Sequence, residues 1–149
     1  MKRTIISLFA VLISIFACTM SANAVFPENG DLPQASLYLS SYGVDLIAIG
    51  NGEMAVEMEV DATGLMTKVG VLSLYIEQKI NGVWQEYDTV YGIYHSDFYA
   101  YNDYDYLGEY IFNGVAGRQY RVTMTAYARN STGSDTGIVM SGAVTCRNP

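Results

Sequence analysis

The stretch Val69-Gly-Val-Leu-Ser-Leu-Tyr-Ile-Glu-Gln-Lys-Ile80, followed by Asn81-Gly82 and then Val83-Trp-Gln-Glu-Tyr87, decides the fold class. Leu72, Leu74, Ile76 and Ile80 recur at even spacing, so in an extended chain they fall on one face while the residues between them turn the other way. Asn-Gly accepts the positive φ angles of a type I′ turn, whose twist matches that of the strands it joins. A β-hairpin is therefore predicted here.

The same alternation continues on both sides. At 53–61, Met54, Val56, Met58 and Val60 share one face, and Glu53, Glu57, Glu59 and Asp61 share the other. At 120–129, Tyr120, Val122, Met124, Ala126 and Ala128 alternate with Arg121, Thr123, Thr125, Tyr127 and Arg129. Strands with one dry and one wet face belong to antiparallel sheets. Gly50-Asn51-Gly52, Ala62-Thr63-Gly64, Gly114 to Gly117 and the loop 130–135 punctuate the chain. They set off further strands at about 36–49 (bent at Tyr42-Gly43), 109–113 and 137–146. About seven to eight antiparallel strands without an internal repeat predict a single all-β sandwich of two sheets.

Ahead of this domain the chain reads as an export signal. Met1-Lys2-Arg3 is a basic start, 5–18 is apolar apart from Ser7 and Ser14, and Ser21-Ala22-Asn23-Ala24 ends it with small residues. This order is that of a secretory signal peptide, with Ala22-x-Ala24 placing cleavage after Ala24. An apolar run of about 14 residues is too short to cross hydrocarbon as a helix, so no transmembrane segment is expected in the mature protein. Ile15-Phe16-Ala17-Cys18 supplies an alternative, a bacterial lipobox in which Cys18 carries lipid. The expected division is 1–24 signal peptide, 25–34 lead-in with Pro27 and Pro33, and 35–149 sandwich. The expected location is secreted, or lipid-anchored at the cell envelope.

Charge and cysteine narrow the partners. The chain beyond residue 24 has six Lys/Arg against fifteen Asp/Glu, a net charge of −9. That balance argues against nucleic acid and anionic membrane surfaces, both of which need basic patches. With Cys18 removed or lipidated, Cys146 is the remaining thiol and no internal disulfide can form. Cys146 is read as a small half-buried hydrophobe.

From Glu109 to Cys146 the chain resembles the last three strands of a fibronectin type III or immunoglobulin-like sandwich. The residues that carry the likeness are Gly117, then Tyr120-x-Val122-x-Met124-x-Ala126, the loop 130–135 and the run Ile138 to Val144. The resemblance implies that Tyr120 is a corner tyrosine, its hydroxyl bonded back to the preceding turn. The whole chain also looks like small exported bacterial proteins.

The unusual segment is 91–110, which holds Tyr91, Tyr94, Tyr99, Tyr101, Tyr104, Tyr106 and Tyr110 together with His95. A phenol offers an apolar face and a hydrogen-bonding tip, which suits stacking on sugar rings or receiving a protein. The candidate binding surface comprises Trp84, Tyr91, Tyr94, Tyr99, Tyr101, Tyr104 and Tyr106. The competing reading is a Tyr-rich strand and loop that merely covers one end of the sandwich. Trp84 is read first as a lid over the core and second as an exposed anchor. Asp97, Asn102, Asp103 and Asp105 are hard oxygen ligands for calcium, but they lack the spacing and central glycine of an EF-hand loop.

Catalysis finds little support. His95 is the one histidine and no Gly-x-Ser-x-Gly elbow is present, so no enzyme activity and no cofactor are expected. Asn130-Ser131-Thr132 is a glycosylation sequon. The first functional expectation is a non-catalytic exterior binding or adhesion module with a protein or glycan partner. A structural envelope component is the second, and a small secreted hydrolase the third.

Overall fold

A computed structural model describes residues 36–148. The proposed signal peptide, the cleavage point at Ala24, the Cys18 alternative and the 25–34 lead-in all lie outside the described residues.

Two Asn-Gly turns organise the chain. Strands β1 (Leu39–Gly50) and β2 (Glu53–Met66) meet at Asn51-Gly52, with φ of 54° and 82°. Strands β3 (Lys68–Ile80) and β4 (Val83–Tyr91) meet at Asn81-Gly82, with φ of 51° and 82°. The predicted hairpin is thus present, and the Gly50-Asn51-Gly52 break is a second hairpin turn of the same kind. Beyond β4 come two short 3-10 turns (Gly92–Tyr94 and Ser96–Phe98), then β5 (Tyr99–Ala100), β6 (Asp103–Asn113) and β7 (Gln119–Arg129). β8 (Ser134–Met140) and β9 (Val144–Thr145) complete the order.

One sheet has the order β1-β2-β6. The other has β4-β3-β7-β8, with β5 beside β3 and β9 beside β7. All pairings are antiparallel, and the chain changes sheet between β2 and β3, between β5 and β6 and again between β6 and β7. This is the expected all-β sandwich. The inner faces supply the core: Met54, Val56 and Val60 from β2 meet Leu74 and Ile76 from β3 and Val122 and Met124 from β7, all fully buried.

Several boundaries differ from the sequence reading. β2 runs through Ala62-Thr63-Gly64 to Met66, so that triplet ends no strand. β6 begins at Asp103 rather than near 109, absorbing much of the tyrosine-rich segment. The last predicted strand is two pieces, interrupted at Ser141, whose hydroxyl accepts the Val122 N–H at 3.0 Å. The even-numbered apolar face of β3 also needs correction. Val69 and Val71 are buried, then Leu74 and Ile76, while Leu72 and Ile80 are only half-buried. The ladder to β7 passes from Val71↔Ala126 to Ser73↔Thr125, so Leu72 is an extra, unpaired residue. Such a bulge reverses which residues face inward on either side of it.

Tyr120 behaves as the resemblance implies. It is fully buried, and the Val115 N–H donates to its hydroxyl at 2.8 Å across the corner between β6 and β7. Its ring meets Tyr87 edge-on at 5.2 Å, and Tyr87 is the extra residue of a second bulge, where β4 passes from Asp88 to Glu86. The bulge lets Tyr87 reach across the sandwich and donate to the Asn113 carbonyl on β6. Cys146 is buried beside this corner, its Sγ 3.5 Å from the Gly52 carbonyl, deeper than the half-buried position expected.

Candidate ligand-binding surface

The segment 91–104 folds flat against the edge of β3 because two glycines permit it. A Cβ on Gly92 would lie 2.3 Å from the Val71 carbonyl oxygen and 2.5 Å from the Tyr99 hydroxyl. A Cβ on Gly70, at φ 148°, would lie 2.0 Å from the Phe98 carbonyl oxygen. Backbone cannot retreat from such contacts, so only glycine fits. Phe98 then plugs the core, fully buried. His95 stacks on it with centroids 4.8 Å apart and meets Tyr110 edge-on at 5.7 Å.

That packing gives His95 a structural duty. Its Nδ1 is 3.9 Å from an Asp97 carboxylate oxygen, beyond hydrogen-bonding distance. Among the described residues no group of three or more His, Cys, Asp or Glu could hold a metal ion, so Asp97, Asp103 and Asp105 form no such group.

Pinned in this way, the segment turns its aromatic side chains outward. Tyr94 is 82 % exposed, Tyr101 and Tyr104 are each 59 % exposed, and Tyr91 is also exposed. Ile93, which the sequence reading passed over, is 81 % exposed beside Tyr94. Tyr99 is half-buried, and burial is the main reason its phenol is pushed up, ahead of the nearby Tyr101 and Tyr127. Tyr106 does not belong to the surface. It is buried on the inner face of β6, and burial, then Asp97, pushes its phenol up to about 12.

Trp84 stands apart from the tyrosines. It pairs with Lys79 at the far end of β4, whereas Tyr91 pairs with Ser73, a separation of about 20 Å at roughly 3.3 Å per residue. It is not a lid over the core. Its half-buried ring lies on the outside of the sheet, with the Arg121 guanidinium 4.4 Å and the Lys79 ammonium 5.5 Å from its centroid. Arg121 in turn makes two hydrogen bonds to Glu77, at 2.6 and 3.0 Å, and these hold its guanidinium pKa up.

The tyrosine-rich end has a cation of its own. The Lys68 ammonium sits 3.4 Å from the Tyr99 ring centroid and 5.9 Å from that of Tyr101. Lys68 faces Arg129 across the β3–β7 ladder, and Gly70 faces both Tyr99 and Tyr127. Directly opposed residues share a face, so Lys68, Arg129, Tyr99 and Tyr127 share the outer side of this sheet. The alternation of 120–129 already turned Tyr127 and Arg129 outward. Only the strand register brings them to the tyrosines of 91–104.

The three-stranded sheet presents a different surface. Asp45, Glu57 and Glu109 stand in one row across β1, β2 and β6, with Glu59 between Gly43 and Leu107 in the next. A shallow hollow of about 470 Å³ opens there, in part because Gly43 has no side chain.

No known family model matches the chain, and comparison with curated proteins finds no significant relative.

Proposed function

We propose that this protein is a non-catalytic binding or adhesion module of the cell exterior, of the immunoglobulin or fibronectin type III kind, holding a glycan or protein partner through its tyrosine-rich end. One observation carries the reading. Tyr91, Ile93, Tyr94, Tyr101 and Tyr104, within fourteen consecutive residues, are all exposed on a segment fixed to the sandwich by Phe98 and His95. A rigid aromatic surface forms contacts at low cost in conformational entropy. The division β1-β2-β6 against β4-β3-β7-β8 and the Tyr120 corner support the kinship.

The test replaces Tyr91, Tyr94, Tyr101 and Tyr104 together by Ser. Glycan-array signals and proteins captured from the producing cell's surroundings are compared with those of the parent. Loss of the captured partners with an unchanged unfolding midpoint is the expected result. Retention of every partner overturns the reading.

A further inference from the structure

Two cations stand side by side at the tyrosine-rich end, with no carboxylate among the described residues to balance them. Lys68 and Arg129 are register partners on β3 and β7, and like charges directly opposite one another destabilise a sheet. Among the described residues the only basic and acidic side chains within ion-pair distance of one another are Arg121 with Glu77 and His95 with Asp97. The described residues include thirteen carboxylates, yet none of these lies within ion-pair distance of either cation. Three phenols lie near the pair: Tyr99 under the Lys68 ammonium, Tyr101 with its ring centroid 5.9 Å from it, and Tyr127 opposite Gly70.

We infer that this end of the six-stranded sheet binds an acidic saccharide, with the sugar's carboxylate or sulfate between Lys68 and Arg129 and its ring against the tyrosines. The inference rests on the binding-module reading and narrows its ligand. An anion placed between the two cations turns their repulsion into two charge-assisted contacts. The tyrosine faces supply apolar area for the C–H face of a sugar ring, and their hydroxyls supply hydrogen bonds. Both burial and the Arg129 charge hold the Lys68 ammonium below its usual pKa, the condition an anion relieves.

The strongly negative net charge does not veto this site. β1, β2 and β6 carry Asp45, Glu53, Glu57, Glu59, Asp61, Asp103, Asp105 and Glu109 and no Lys or Arg. Their sheet lies on the other side of the core, about 10 Å away for packed sheets. The screening length at physiological salt is about 8 Å. The acidic face is thus largely screened from the opposite surface.

The test measures binding of the full chain to four soluble polymers: polygalacturonate, dextran sulfate, neutral dextran and polyglutamate. The expected result is binding to polygalacturonate, dextran sulfate or both, weakened by salt, with little to dextran or polyglutamate. The first two polymers tell carboxylate from sulfate. Lys68→Gln and Arg129→Gln should each weaken binding by about ten-fold or more, as for loss of a hydrogen bond to a charged group. Lys68→Gln should leave the melting temperature nearly unchanged, because the lost contact with the Tyr99 ring offsets the relieved repulsion from Arg129. A purely structural Lys68 would instead lower it.

Equal binding of dextran, equal binding of polyglutamate, indifference to both substitutions, or no binding to any polymer overturns the inference. If dextran binds and binding is lost with the four-tyrosine variant, the module reading stands while the acidic ligand falls.

Discussion

The two outer faces of the sandwich solve the same problem in opposite ways. The three-stranded sheet meets water with carboxylates set directly opposite one another, Asp45 beside Glu57 beside Glu109. The six-stranded sheet meets it mainly with threonines, tyrosines and Trp84, and its cations lie on aromatic rings more than on carboxylates. Charge opposed to like charge keeps a face soluble at some cost in stability. Rings and cations give a face that can be covered by something else. The inner faces show no such divergence, since both sheets contribute fully buried aliphatic side chains and methionines to one core.

The sharpest way to break this comparison is to contrast an inner with an outer position. Leu74→Ala, on the inner face of β3, should cost about 2–5 kcal/mol, since the residue is fully buried and its removal leaves a cavity. Leu107→Ala, 74 % exposed on the acidic face, should change stability by no more than about 0.5 kcal/mol. Urea unfolding of both variants checks this, and a costly Leu107→Ala would mean that the acidic face is covered.

A smaller effect should come from reversing one charge in the carboxylate row. Glu57→Lys places a cation between Asp45 and Glu109 and makes two opposite-charge pairs, each worth roughly 0.2–1 kcal/mol. The variant should melt higher than the parent at low ionic strength. The gain should shrink in 1 M salt, where the screening length is about 3 Å. A lower melting temperature would show that the row is not repulsive.

The smallest effect is local and depends on pH. The Asp135 carboxylate at the start of β8 accepts the Ser36 hydroxyl at 2.7 Å and the Leu37 and Tyr38 N–H groups at 2.7 and 3.0 Å. The Ser36 hydroxyl, followed by these backbone groups, holds its pKa below the ordinary carboxylate range. A depressed folded pKa gives stabilisation that is present above the unfolded value, about 3.9 for Asp, and lost as pH falls through the folded one. Asp135→Asn should therefore melt below the parent at pH 7, and the gap should close below about pH 4. A gap that stays constant with pH would mean that the charge of Asp135 is irrelevant to the contact.

How much of this was legible depends on the range of the interaction. The Asn81-Gly82 hairpin could be read because a type I′ turn is specified by the two residues that occupy it. The inward row Tyr120, Val122, Met124, Ala126 and Ala128 could be read because β7 has no bulge against β3 on its own side of the ladder. β3 defeated the same rule at Leu72, since nothing in the composition of 69–80 announces an extra residue whose partner strand lies fifty positions away. Tyr106 was placed on the surface for a similar reason. A tyrosine in a run of exposed tyrosines looks exposed until the strand beneath it is known.

The sequence by itself therefore determined an all-β chain, its Asn81-Gly82 hairpin and an excess of tyrosine between 91 and 110, all properties of a few adjacent residues, while the corner tyrosine followed from the resemblance. Only the tertiary structure decided which tyrosines face water and that Asp45, Glu57 and Glu109 form one row on the three-stranded sheet. It alone set Lys68 against Arg129. Antiparallel register joins residues distant in the chain, and a single bulge exchanges the two faces of a strand.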